Sequence, residues 1–320
     1  MNRVAHSALI DTELVQDELV RDGFSVVPGL LRNDLIDVHL TAYEALHQHL
    51  GVDFSADFYS YSGKMREEIK RARHDFHRDH SPTLELLFDQ TVLKLLEGVF
   101  CTQAVLRQPE TGMYNRRAPL HTDSLDVRAS ARSRELRMWC ALEDIHPDSG
   151  PIYFLRGSHR TIAEPLEDSV IAEKPEFLSL LRNQMPPTTI GSFYEETRPL
   201  WLYVKRNKLP RSVEEQRIEP AVQILRKGDI ILFSPDVLHG TMQCVNAHLT
   251  RKYMVAYWSA IETSWFQARS CWSRQHDYRF SANAIAPDVH CGSHGMYIEF
   301  EEFQNQYATS FTQAVITNDV

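Results

Sequence analysis

The chain is poor in cysteine: Cys101, Cys140, Cys244, Cys271 and Cys291 are the only five in 320 residues. The count is odd and no two form a CxxC pair. That excludes a disulfide scaffold and a zinc ribbon, and it favours a reducing cytoplasm. A basic excess is also missing. Lys plus Arg number 34 against 43 Asp plus Glu, for a formal charge of −9, the opposite of the electrostatic footprint of a nucleic-acid binder. No run of about 18 apolar residues occurs, so no membrane span is expected. The opening MNRVAHSALIDTELVQDELV has no basic segment followed by an apolar one, so no signal peptide is expected. Internal repeats and low-complexity tracts are lacking as well.

What is present is ordinary globular material, 43% hydrophobic and 24% charged, with 10% aromatics spread along the whole length. This suffices for a full core without disulfides or a structural metal. Residues 11–22 place Leu14, Leu19 and Val20 at helical spacing and predict a short amphipathic helix stopped by Gly23. FSVVPGLL predicts a strand closing at Pro28–Gly29. Asn33 is expected to cap a helix over 34–50, and 82–99 to form one helix with Pro82 in its first turn and Gly98 at its end. From about residue 101 the character changes. The runs LRMWCALED, PIYFLRG, DIILFSP and YMVAYWSA read as strands of a sandwich or barrel. Segment 161–220 reads as an insertion between strands, with a helix near 175–184 and the charged stretch RSVEEQRIEP. Insertions of that kind often shape an active-site mouth. No linker marks a boundary. One domain is expected over 1–320: a helical part over 1–100, a β core over about 101–260 and a C-terminal extension over 261–320 that is a lid, an oligomer contact or plain packing.

On a strand, residues i and i+2 point the same way, so His-x-Asp can offer two ligands to one metal. The pattern occurs three times: His77–Asp79, His121–Asp123 and His146–Asp148. The first lies in the charged run KRARHDFHRDHSP, which reads as a solvated face even with His74 and His80 nearby. The last flanks Pro147 in turn chemistry. Only His121–Asp123 sits in an extended context, after Pro119. The best distant third ligand is His239, in LRKGDIILFSPDVLHGT. Two His and one carboxylate make the facial triad that binds ferrous iron and leaves coordination positions open for a chelating cosubstrate and dioxygen. Arg251 carries a permanent, forked charge suited to a bidentate grip on a carboxylate, a surface ion pair being its other reading.

In these residues the sequence resembles the phytanoyl-CoA dioxygenase family of Fe(II)/2-oxoglutarate-dependent oxygenases. The resemblance runs over about 12–260. It is carried by DGFSVVPG, His121-Thr122-Asp123, Trp139 in MWCALED, DSGPIYFLRGSHR, GDIILFSPDVLHGT and Arg251. It implies a mainly β fold with flanking α-helices, a double-stranded β-helix or jelly-roll, cupin-like barrel. It implies Fe(2+) held by His121, Asp123 and His239, 2-oxoglutarate bound by Arg251, and O2 as the oxidant. Trp139, Thr241 and Thr122 resemble residues that line the cosubstrate pocket. Arg251 follows His239 by twelve residues where the family leads one to expect ten or eleven, and an insertion in the NAHLT loop absorbs the difference. Related halogenases replace the carboxylate ligand by a small residue, so Asp123 implies oxygen insertion or oxidation.

The expected reaction is hydroxylation of an unactivated C–H bond in a small molecule, with succinate and CO2 as coproducts. A catalytically silent binding protein on the same barrel and a metal-dependent hydrolase are the competing readings. Arg128, Arg132, Arg134 and Arg137 follow the His-x-Asp motif. They read either as a solvated loop or as recognition of an anionic or carrier-bound substrate. The insertion aromatics Phe193, Tyr194, Trp201 and Tyr203 either close over an apolar molecule or form a packed edge. Nothing in the sequence sets an oligomeric state.

Overall fold

The computed structural model describes residues 10–51, 69, 76, 80–114, 118–123, 127–129, 135–163, 165–166, 207–261, 265–267, 289–292 and 295–298. Helix α1 (Thr12–Asp22) starts where the Asp11 carboxylate accepts the Leu14 N–H at 3.0 Å. It ends at Gly23, whose φ of 85° lies in the left-handed region that favours glycine. The chain turns directly into β1 (Phe24–Val27) and then α2 (Asn33–Leu50). Asn33 does not cap α2. Arg32 occupies the cap position without a side-chain bond and lays its guanidinium on Asp34 in the first turn. The single helix expected over 82–99 is two, α3 (Ser81–Leu87) and α4 (Gln90–Phe100). Asp89 accepts the Thr91 N–H at 2.8 Å and starts the second helix afresh. Gly98 lies inside α4, and Cys101, with φ 55°, ends it.

The remaining elements are β2 (Ala104–Gly112), β3 (Val127–Ala129), β4 (Glu135–Ala141), β5 (Ile152–Leu155), α5 (Leu209–Gln216), β6 (Pro220–Val222), β7 (Ile230–Phe233), β8 (His239–Thr241), β9 (Tyr253–Ala260), β10 (Trp265–Gln267), β11 (Val289–Gly292) and β12 (Gly295–Ile298). A seven-stranded sheet runs β1-β7-β4-β9-β2-β12-β11, a three-stranded sheet runs β6-β5-β8, and β10 pairs with β3. Every pairing is antiparallel except β12 with β2. This is the jelly-roll architecture. The four strand runs read from the sequence are β4, β5, β7 and β9.

Strand alternation divides the core into layers. Leu136, Met138 and Cys140 of β4, with Ile230 and Leu232 of β7 and Met254, Ala256 and Trp258 of β9, pack outward against α1, α3 and α4. Trp139 and Ala141, Ile231 and Phe233, and Tyr253 face inward, toward Ile152 and Phe154 of the smaller sheet. Both faces of β4 are therefore buried along its whole length, and each fully buried large side chain contributes about 1.5–3 kcal/mol. Helices on one side and a second sheet on the other leave the inner face of the large sheet as the place for chemistry.

The charged stretch RSVEEQRIEP forms most of α5 and the first residue of β6. The helix expected near 175–184, the aromatics Phe193, Tyr194, Trp201 and Tyr203, Cys271 and most of 261–320 lie outside the described residues. Among the described residues no helix is long and apolar enough to cross a membrane.

Candidate metal centre

His239 opens β8, and one antiparallel bridge joins it to His121. The His121 N–H donates to the His239 carbonyl at 2.9 Å, and the His239 N–H returns to the His121 carbonyl at 3.0 Å. The extended geometry expected of His-x-Asp is thus present as a lone bridge, not a strand. Side chains opposed across an antiparallel pair share a face, and the two imidazole centroids are 4.4 Å apart. Gly240 permits the approach. A Cβ there would lie 2.8 Å from the Tyr153 hydroxyl and 3.1 Å from the Ala118 carbonyl.

Each imidazole is oriented from behind. His121 Nδ1 is 2.8 Å from the Pro119 carbonyl, and His239 Nδ1 is 3.0 Å from the Val237 carbonyl. A carbonyl can only accept, so in the neutral rings Nδ1 carries the proton and Nε2 keeps its lone pair. Both Nε2 atoms face Asp123 Oδ1, at 3.5 Å from His121 and 3.6 Å from His239. The three ligand atoms lie within 4.8 Å of one another, the one such His/Cys/Asp/Glu group of three among the described residues. Two neutral nitrogens and one carboxylate oxygen fit a divalent iron.

Burial lowers the His239 pKa to about 4, helped by His121 and opposed by Asp123. Burial pushes the Asp123 carboxyl up, but His239 and a hydrogen bond from His121, both in their protonated forms at acid pH, together with the charge of Arg137 outweigh it and hold it well below the usual carboxylate range. At neutral pH the site therefore offers an anion and a neutral His239 imidazole, the protonation state a cation requires.

Arg251 is not in a surface ion pair. It is 2% exposed, its Nη1 donates to the Gly150 carbonyl at 2.9 Å, and its Nε is buried without a partner. Burial lowers its pKa from the ordinary guanidinium value, which Tyr253 partly offsets. Its guanidinium carbon sits 4.9 Å from the Tyr253 ring centre and 6.0 Å from that of Trp139, and those two rings stack at 5.4 Å. A buried cation with an unused N–H beside an aromatic wall is fitted to an incoming anionic acceptor. The loop before it holds a tight turn in which Asn246 accepts the His248 N–H with Oδ1 at 3.0 Å and the Leu249 N–H with its carbonyl at 3.1 Å. That turn accommodates the long spacing from His239. Thr241 latches the His121 segment to β8, since its hydroxyl accepts the Ala118 N–H at 3.0 Å and its own N–H donates to the Ala118 carbonyl at 3.1 Å. Thr122 is buried between the two candidate ligands.

Arg137 departs from both readings of the arginine cluster. It lies on β4, fully buried, with Nε 3.1 Å from Asp123 Oδ2 and Nη1 2.7 Å from Glu135 Oε1. Glu135, Tyr253 and Tyr257 were not singled out by the sequence, although Glu135, Arg137 and Trp139 alternate onto one face of one strand. Arg132, Arg134 and the Arg128 side chain lie outside the described residues, as do His74, His77 and Asp79. His80 is not on a solvated face; it is partly buried, 2.9 Å from Thr83 Oγ1, and stacks on Phe76. His146 caps a 3-10 turn (Pro147–Ser149) that contains Asp148, and its Nδ1 accepts the Asp148 N–H at 3.1 Å.

The model of the family described as phytanoyl-CoA dioxygenase (PhyH) matches residues 19–253. No curated protein sequence matches the chain. Among solved structures, the chain is similar to the non-heme alpha-ketoglutarate-dependent carbocyclase SnoK from nogalamycin biosynthesis, with 11% identity, TM-score 0.53, and coverage of 78% of this chain and 85% of that one. The epimerase SnoN of the same biosynthesis has 14% identity, TM-score 0.51, and coverage of 80% and 86%. A nickel complex of the non-heme monooxygenase ThoJ has 12% identity, TM-score 0.52, and coverage of 95% and 97%. At these identities the likeness is one of fold.

Proposed function

The chain belongs to the phytanoyl-CoA dioxygenase family, and from that premise we propose that His121, Asp123 and His239 hold its iron and that Arg251 grips the far carboxylate of 2-oxoglutarate. Family membership makes it an Fe(II)/2-oxoglutarate-dependent oxygenase that uses O2. The observation that carries the site is the convergence of two Nε2 atoms on Asp123 Oδ1 with both Nδ1 atoms tied back to carbonyls. We read the whole chain as one oxygenase domain working in the cytoplasm on a small molecule.

When bound, the iron couples oxidative decarboxylation of 2-oxoglutarate, to succinate and CO2, to oxidation of a substrate C–H bond by O2. The protein's part is placement. His121 and His239 present lone pairs already oriented by Pro119 and Val237, and Asp123 supplies the neutralising charge. The buried Nε of Arg251 gives an incoming carboxylate a donor that has no competing partner. Trp139 and Tyr253 wall that cation off, which strengthens a charged hydrogen bond by excluding water. Thr241 fixes the segment carrying His121, and Thr122 holds a buried place beside it.

Hydroxylation is the proposed outcome. An epimerase, a carbocyclase and a monooxygenase share this fold, so the fold does not select among oxidations. A carboxylate ligand at Asp123 fills the position that halide would need. A hydrolase would leave the buried Arg251 donor without a use.

The test is an anaerobic titration of the apoprotein with ferrous iron and 2-oxoglutarate, followed by visible absorption. A metal-to-ligand charge-transfer band is expected in the wild type and its loss in His239→Ala. A well-folded wild type with no band would overturn the assignment.

A further inference from the structure

Asp123 is held on the side away from the histidines. We propose that Arg137 is a positioning residue that confines Asp123 to ligation through a single oxygen. The inference rests on the iron site proposed above and says how that site keeps enough positions open.

The two carboxylate oxygens of Asp123 have different neighbours. Oδ1 faces both Nε2 atoms, at 3.5 and 3.6 Å. Oδ2 takes the Arg137 Nε at 3.1 Å. An oxygen engaged by a guanidinium N–H is poorly placed to turn onto a metal as well. Asp123 is in no strand and cannot fix its own carboxylate plane. Arg137 can, because β4 is hydrogen-bonded on both edges, pairing Arg137 with Phe233 of β7 and with Tyr257 of β9.

The guanidinium is then fixed in three directions. Its Nη1 binds Glu135 Oε1 at 2.7 Å, its Nε binds Asp123, and its plane lies over the Tyr257 ring at 4.4 Å. Glu135 precedes it by two residues on the same strand face, so both partners come from the sheet. The buried cation is balanced by Glu135, which leaves the Asp123 charge for the metal. The coordination count follows. Two imidazoles and one oxygen use three positions of an octahedral ion and leave two for a chelating keto acid and one for dioxygen. A two-oxygen Asp123 would remove one of those three.

The experiment uses Co(II) with the full-length protein. Metal affinity is measured by titration, and the ligated carboxylate by metal-minus-apo infrared difference spectra of protein carrying 13C-labelled aspartate. One-oxygen ligation gives a wide separation of the two carboxylate stretches, and two-oxygen ligation a narrow one. The wild type is expected to show the wide separation. Arg137→Lys keeps the charge but cannot offer Nε and Nη1 in fixed directions. It is expected to narrow the separation and to weaken Co(II) binding about 10–100-fold. The paired variant Glu135→Leu with Arg137→Met keeps the charge balance should the lysine variant misfold, and the same changes are expected.

A wide separation and wild-type affinity in Arg137→Lys, or in the paired variant, would reduce Arg137 to a structural counter-charge and overturn the inference. So would a narrow separation in the wild type, with the iron site left standing. A wild type that binds no Co(II) would remove the iron site and this inference together.

Discussion

His239 illustrates how much a single side chain borrows from its backbone. Its ring is aimed by the Val237 carbonyl two residues earlier, its main chain is clamped to His121, and the next residue has no room for a Cβ. His121, Asp123 and His239 were legible as a group because Pro119 and the surrounding β runs mark extended chain, although the structure makes only one bridge at His121 and no strand at Asp123. Arg137 was not legible in its role. Four arginines close together look like solvated charge, and only the unbroken burial of β4 shows that one of them points inward beside Trp139. Arg251 was legible as a forked cation, whereas its burial depends on Tyr253 and Gly150, which no spacing reveals. Replacing Arg251 by Gln removes a charged hydrogen-bond donor worth about 1.5–3 kcal/mol. The KM for 2-oxoglutarate should rise roughly 10- to 100-fold, with a smaller change in kcat, in assays of succinate formation. His121→Ala, Asp123→Ala and His239→Ala should each abolish substrate-linked succinate while far-UV circular dichroism stays that of the wild type.

At the level of elements, β1, β4, β5, β7, β9 and α1 were readable because period and end signals agree. Asp11 caps α1, Gly23 stops it, and β1 begins at the next residue. The break between α3 and α4 was not readable from the pattern of apolar residues, which runs through 82–99 without interruption. A local contact decides it: Asp89 hydrogen-bonds the Thr91 N–H, and the helix restarts. Asp89→Ala should cost about 1 kcal/mol, the usual worth of such a cap, read from the denaturant midpoint. Gly23→Ala should cost ~1–3 kcal/mol for the left-handed backbone alone. A Cβ there would also stand 2.8–2.9 Å from Val237, whose carbonyl aims His239. This variant should therefore weaken metal binding as well as lower Tm, a coupling that Asp89→Ala should not show.

Over the whole molecule, acid stability is set partly far from the proposed iron site. His39 of α2 is fully buried, 2.8 Å from Thr83 Oγ1 of α3 and 3.4 Å from Thr111 Oγ1 of β2. Burial, with a smaller push from His80, lowers its pKa from 6.5 to about 3. The unfolded chain thus takes up a proton that the folded chain refuses. The contribution of His39 to stability is complete above pH 6.5 and is lost, at about 1.4 kcal/mol per pH unit, as pH falls toward 3. His80 and His239, also lowered by burial, act in the same direction. Denaturant midpoints at pH 7 and pH 5 should differ clearly in the wild type and less in His39→Gln. The bridge between His121 and His239 has a consequence on another timescale. It ties together two positions on either side of segment 161–220, whose described ends meet independently of it. Gln216 bonds the Thr161 carbonyl, and Ile162 and Leu209 pack on Leu155 and Leu238. A segment whose ends are already held together costs only about 0.6 kcal/mol per doubling of its length. Replacing 167–206 with a short Gly/Ser linker should leave Co(II) affinity unchanged. The pairing of the two histidines in space is accordingly indifferent to how many residues separate them along the chain.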